Sequence, residues 1–187
     1  MKELLHDMLL YHGSYCEVKM PDLKRCAKYK DFGQGFYVTT SRRQAENFAK
    51  ISVKKAVANG TAGADSRYGM VSVFRLNSIE NLAVKTFPTT DEEWLHCIVG
   101  HRRAKTFSDI VQALERYDVI GGKIANDNTN ATITTYMAGG FGEVGTKSVE
   151  DICIRLLLPE RLQDQFCFRT DEALERLSYV ESEQIWL

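Results

Sequence analysis

Two segments near the start of the chain, LYHGS at residues 10–14 and GQGFYVTTSRRQAENFA at residues 33–49, decide how the rest is read. The first closes an apolar run in a polar turn, so residues 8–14 predict a short strand. The second opens on glycines and passes into GFYVTT, residues 35–40, whose β-formers predict another strand. Ser41 and Gln44 then make a capping-box signature for a helix over 41–58, which Asn59-Gly60 can terminate.

Working outward, TAGADSRYG (61–69) reads as a loop, MVSVFRL (70–76) alternates like a half-buried strand, and LAVKTF (82–87) reads as a further strand. Thr90 with Glu93 offers a second capping box, for a helix over 91–104 with acids in its first turn and Arg102-Arg103 near its end, matching the helix dipole. Residues 107–117 read as a helix, 118–127 as a strand broken by the Gly121-Gly122 pair, and 128–140 as a helix capped by Asn128 or Thr129. SVEDICIRLLL (148–158) suits helix or strand and is ended by Pro159. QFCFRT (165–170) alternates, DEALERL (171–177) makes a short capped helix, and residues 178–187 form a closing strand. Strands and helices interleave without a regular βαβ rhythm, so the expected class is α+β.

At 187 residues and 44% apolar content the chain is long enough for one core, and a single domain over 1–187 is expected. A formal charge of −1 leaves no global footprint for nucleic acid, although a local basic patch is compatible with it. The opening MKELLHDMLLYHG is too short and too charged for a signal peptide, and no apolar run approaches a membrane span, so a cytoplasmic protein without membrane contact is expected. The five cysteines form an odd set without C-x-x-C spacing and read as reduced thiols. His96 and His101 are five apart, where two ligands on one helical face need four, so no metal is expected. The DFG at Asp31–Gly33 lacks the loops a kinase needs around it, and GGKIAND lacks P-loop spacing.

The opening segments resemble the ADP-ribosyltransferase superfamily, in which a strand ending in His-Gly-Ser/Thr is followed by a strand with Gly-x-Gly-aliphatic-Tyr. The second is similar to the poly(ADP-ribose)-polymerase branch, which has a small residue eight positions after the Tyr and an aromatic eleven after it, here Ala45 and Phe48. The whole chain also resembles a small bacterial family of ADP-ribosyltransferase-like proteins of undefined function, through YDVIGGKIAND and DQFCFRT. The resemblance implies two antiparallel sheets forming a cleft for nicotinamide adenine dinucleotide (NAD) as co-substrate.

By that resemblance, His12 would hydrogen-bond the ribose hydroxyls, Gly13 would let its backbone approach the nicotinamide carboxamide, and Ser14 would add a hydroxyl contact. Tyr37 and Phe48 would stack on the two faces of the nicotinamide. Ala45 stands where the polymerase branch has a serine that holds the carboxamide, so recognition there leans on Gly13. The late-strand position that usually carries a glutamate offers Gln165, whose amide accepts a hydrogen bond without bringing charge. Glu160 would point to the other face of that strand, and Asp127 can supply the missing carboxylate or orient the acceptor.

The implied activity is transfer of ADP-ribose from NAD to a macromolecule or nucleotide, as in mono-ADP-ribosylating bacterial toxins often paired with a small antitoxin protein. NAD hydrolysis, a non-catalytic nucleotide-binding module, and a transferase using another phosphorylated donor are the alternatives. Each residue also has an ordinary reading: His-Gly-Ser is a common turn, Tyr37 and Phe48 are often core aromatics, and Gln165 alone is a surface amide. Arg42, Arg43, Arg102 and Arg103 read as solvated helix ends, with one pair able to meet the pyrophosphate. Asp118 and Asn126 read as turn residues, and Trp94 and Trp186 as packing.

Overall fold

Side-chain alternation along the strands sorts this molecule into layers. The computed structural model describes residues 3–103, 105–124, 127–157 and 162–187, with backbone alone at 127 and 128. Its strands are β1 (Leu9–Ser14), β2 (Phe36–Val38), β3 (Tyr68–Leu76), β4 (Val84–Thr86), β5 (Val119–Lys123), β6 (Asp164–Phe168) and β7 (Leu177–Trp186). The helices are α1 (Arg42–Ala58), α2 (Glu92–Arg102), α3 (Ser108–Leu114), α4 (Asp127–Met137), α5 (Lys147–Leu156) and α6 (Asp171–Leu174). The fold is α+β, with two sheets flanked by helices.

The first sheet has strand order β1-β3-β7 and is antiparallel throughout. The second has order β2-β6-β5-β4 and is mixed, because β4 and β5 run parallel. This corrects the expectation of two antiparallel sheets. The chain passes from β4 to β5 through α2 and α3, and a helical crossover returns a strand in the same direction, whereas a tight hairpin reverses it.

Leu10, Phe36, Phe74, Phe166 and Phe168 come from both sheets and fill the space between them. Each such side chain taken from water contributes roughly 1.5–3 kcal/mol. Alternate residues point outward. On the first sheet Val71 and Val73 pack against Ala45 and Ala49 of α1. On the second, Ile120 and Cys167 join Phe32, Trp94 and Tyr136 in a core roofed by α2, α4 and α5.

Local departures from the sequence reading have steric causes. β5 runs unbroken through Gly121 and Gly122, since a Cβ at Gly122 would stand 2.8 Å from the Phe32 ring and 3.1 Å from that of Trp94. The glycines make room for rings instead of breaking the strand. β3 begins at Tyr68, inside the expected loop, and Gly69 lets α1 approach, a Cβ there lying 2.7 Å from the Ala49 carbonyl oxygen. Helix α2 is capped by Asp91 in place of Thr90, its carboxylate accepting from the Trp94 amide at 3.0 Å. Residues 147–156 are helical, which settles the ambiguous segment, and Pro159 lies outside the described residues, as do Asn126 and Glu160. Asp118 is more than a turn residue: its carboxylate accepts from Ala83 N and the Thr170 hydroxyl, tying three segments together. Among the described residues no helix is long and apolar enough to cross a membrane.

Candidate functional site

The two sheets meet at their edge strands. β1 and β2 join through one bridge, Tyr11 to Thr39, with N···O distances of 2.9 and 3.0 Å in the two directions. A cleft of about 1490 Å³ opens along this seam, and His12, Tyr37 and Gln165 all line it.

His12 projects from β1 toward the inter-sheet layer, its ring 4.4 Å from that of Phe36. Its Nδ1–H donates to the Tyr37 carbonyl at 2.7 Å. A carbonyl only accepts, so the proton sits on Nδ1 and Nε2 is left as an acceptor. Burial lowers the imidazole pKa below its ordinary 6.5, partly opposed by the hydrogen bond to Tyr37. The neutral form is therefore favoured at neutral pH.

Tyr37 faces the opposite side of β2 from Phe36. Its hydroxyl donates to Gly33 O at 2.8 Å and accepts from Phe32 N at 2.9 Å, which pins the loop before β2. Burial pushes the phenol well above its usual range, so it stays protonated. Gly33 has φ +80°, a conformation glycine adopts without strain, and His101 fills the space beside it. With its hydroxyl committed to backbone, Tyr37 has its ring to offer a ligand.

Gly13 packs against α1, where a Cβ would lie 2.0 Å from the Ala45 carbonyl oxygen. The glycine of the His-Gly pair is thus required by the close approach of α1 to β1, whatever else its backbone contacts. Ala45 is 1% exposed and packs under the helix, while Phe48, 45% exposed on the same helix, lines the cleft, as does Ser14. Asp127 begins α4, and its side chain lies outside the described residues.

Gln165 lies two residues from Cys167, which pairs with Tyr37 across β2 and β6, so Tyr37 and Gln165 share a sheet face. It is no surface amide: it is 5% exposed, and its Nε2 donates to Asp31 Oδ2 at 2.9 Å. Arg102 donates to the other oxygen, Asp31 Oδ1, from Nε at 2.9 Å and Nη2 at 2.6 Å, and from Nη1 to Asn130 Oδ1 at 2.8 Å. Reading Arg102 as a solvated helix end is therefore corrected. The last turn of α2 delivers it into the cleft, where it compensates a buried carboxylate, and removing one partner of such a pair costs roughly 3–5 kcal/mol. The other arginines divide: Arg42 pairs with Glu46 and Glu183, Arg103 donates to the Met137 carbonyl, and Arg43 lines the cleft exposed.

A family model described as a protein of unknown function, DUF3990, matches residues 8–179. The chain belongs to the DUF3990 family. No curated protein matches the sequence.

The residues of this DUF3990 chain that sequence reasoning missed are Asp31 and Asn130, the two partners of Arg102. Asp31 stands in the DFG set aside as a failed kinase motif, and 134 positions separate it from Gln165, so no spacing rule connects them. A usable signal lay in Phe32-Gly33. A large apolar residue and a turn-forming glycine directly before a strand anchor the loop, which holds the preceding carboxylate at the strand's mouth.

Proposed function

We propose that the cleft binds NAD and that the protein transfers ADP-ribose from it to an acceptor nucleophile. The observation that carries this reading is the opening of His12, Tyr37 and Gln165 onto one cleft at the seam of two sheets. Charge supports it. The cleft is lined by Lys19, Arg25, Lys30, Arg43, Lys55 and Arg102 against Glu17, Asp22 and Asp31, a local positive excess in a chain of net charge −1. Such a wall suits a pyrophosphate.

In this reading His12 Nε2 accepts a ribose hydroxyl, the rings of Tyr37 and Phe48 flank the nicotinamide, and the Gln165 carbonyl accepts from the nicotinamide ribose. A cationic ring against an aromatic face contributes on the order of 1 kcal/mol. The ribose–nicotinamide bond breaks with its electron pair leaving on the ring, and the ribosyl cation, akin to that of glycoside cleavage, is captured by an acceptor that gives up a proton. Water as acceptor makes the reaction NAD hydrolysis.

The test is incubation of the purified protein with NAD while free nicotinamide is measured. Release that Tyr37→Ala abolishes supports the reading. NAD bound but uncleaved points to a binding module, the neutral amide at position 165 being the observation that favours this second reading. Absence of NAD binding ends both.

A further inference from the structure

The carboxylate that the proposed chemistry calls for is missing from position 165 but stands against it, contributed by the loop that precedes β2. We infer that Asp31 is a positioning residue of this site, fixing the Gln165 amide so that its carbonyl oxygen faces the cleft and lending that oxygen negative charge through the amide. The inference rests on the NAD reading and extends it.

An ionised carboxylate only accepts hydrogen bonds, so the group Gln165 turns to Asp31 must be its NH₂. The 2.9 Å contact from Nε2 to Oδ2 therefore sets the orientation of the amide chemically. Oε1 takes no hydrogen bond from the described residues and is free for a ribose hydroxyl. Both residues are withdrawn from bulk water, Asp31 at 7% and Gln165 at 5% exposure. In such surroundings a hydrogen bond to an anion polarises its donor more strongly than in water. The amide becomes a better acceptor at its far end, and part of the effect of a glutamate returns without a carboxylate touching substrate.

The surrounding contacts match that role. Arg102 gives two N–H groups to Oδ1 while Gln165 donates to Oδ2, so both carboxylate oxygens are engaged. Asp31 acts through Gln165 because its oxygens are engaged. The next residue, Phe32, is buried in the core, and the Tyr37 hydroxyl bridges Phe32 N and Gly33 O, so the aromatic wall and the carboxylate are tied to the same loop.

The test is a charge swap, read by nicotinamide release from NAD with kcat and KM separated. Asp31→Asn keeps the side-chain shape and removes the charge, and its expected effect is a kcat fall on the order of tenfold with KM near native. Gln165→Glu sets two carboxylates against each other, which cannot both ionise freely, and is expected to bring a pH dependence near neutrality that the native enzyme lacks. The double variant Asp31→Asn with Gln165→Glu again places one amide against one carboxylate, and is expected to recover most of the native kcat. An Asp31→Asn kcat equal to native, or a double variant no better than the worse single, overturns the inference.

A native protein that releases no nicotinamide takes away the NAD reading itself, an outcome distinct from native release untouched by Asp31→Asn. The orientation of the amide has its own readout, which needs neither activity nor a folded variant. In the nitrogen-15 spectrum of the native protein, one Gln165 Nε2 proton is expected downfield and slow to exchange. A signal matching free glutamine overturns the inference whatever the kinetics.

Discussion

The imidazole of His12 and the carbonyl of Tyr37 meet at 2.7 Å across the seam between the two sheets. This contact does more than hold β1 to β2. It assigns the imidazole proton to Nδ1 and so makes the other ring nitrogen, Nε2, an acceptor.

On the proposed NAD reading, His12→Ala is expected to raise the KM for NAD by about tenfold, with a smaller change in kcat, because that reading gives His12 a binding contact and leaves the leaving-group wall to other residues. In the native protein the same acceptor is lost on protonation. Since burial holds the imidazole below 6.5, KM is expected to stay level from pH 8 down to 6.5 and to rise only in more acid solution. Initial rates across that range, native against variant, check both statements.

Gly13→Ala tests the approach of α1 to β1. The added methyl meets the Ala45 carbonyl at 2.0 Å and the Ala49 nitrogen at 2.8 Å, both backbone atoms that cannot swing aside. A loss of roughly 1–3 kcal/mol is expected, from overpacking alone. Gly60→Ala is the comparison, since a Cβ there meets nothing within 4 Å and only its φ of +70° opposes the change. Urea denaturation midpoints of the two variants measure the difference, and equal midpoints would contradict the packing argument.

Stability should fall on mild acidification. Burial lowers the pKa of His12, and that of His101 likewise, with backbone hydrogen bonds to Tyr37 and Cys97 opposing the shift. A depressed histidine pKa means the unfolded chain binds more protons below 6.5. The contribution is complete above the ordinary histidine value and drains away as pH drops through the folded values. Denaturation midpoints are expected to be flat from pH 8 to 7 and to decline below 6.5. His101→Phe is expected to make that decline shallower.

Thiol labelling should divide the five cysteines. Cys97, Cys153 and Cys167 are buried, and burial pushes the thiols of Cys153 and Cys167 to about 11 and about 12. Cys16 and Cys26 are only partly buried. Iodoacetamide at pH 8 is expected to modify Cys16 and Cys26 in the native protein and the other three only after unfolding, as mass mapping of labelled peptides would show. Modification of Cys167 in the folded state would contradict the packing of β6 against Tyr37.

Much of the fold was legible because its signals are local. An apolar run ending in a polar turn marked β1, alternation marked β3 and β6, Ser41 marked the start of α1, and the order of His12, Tyr37 and Gln165 marked three residues of one cleft. Where the reading went astray, a distant ring or helix was the cause. Gly122 looked like a strand breaker until Phe32 and Trp94 were seen to need its space, and Thr90 looked like a cap until the Asp91 carboxylate was found on the Trp94 amide.

By itself the sequence determined the α+β class, the Ser41 cap of α1 and the candidate residues, since periodicity, capping and turn chemistry act over a few neighbouring positions. Tertiary structure alone decided that β4 and β5 run parallel, that Arg102 turns inward, and that Asp31 stands against Gln165. Those facts belong to pairs remote in the chain. A carboxylate in a loop gains its role from what the folded backbone sets beside it, and no local pattern records that neighbour.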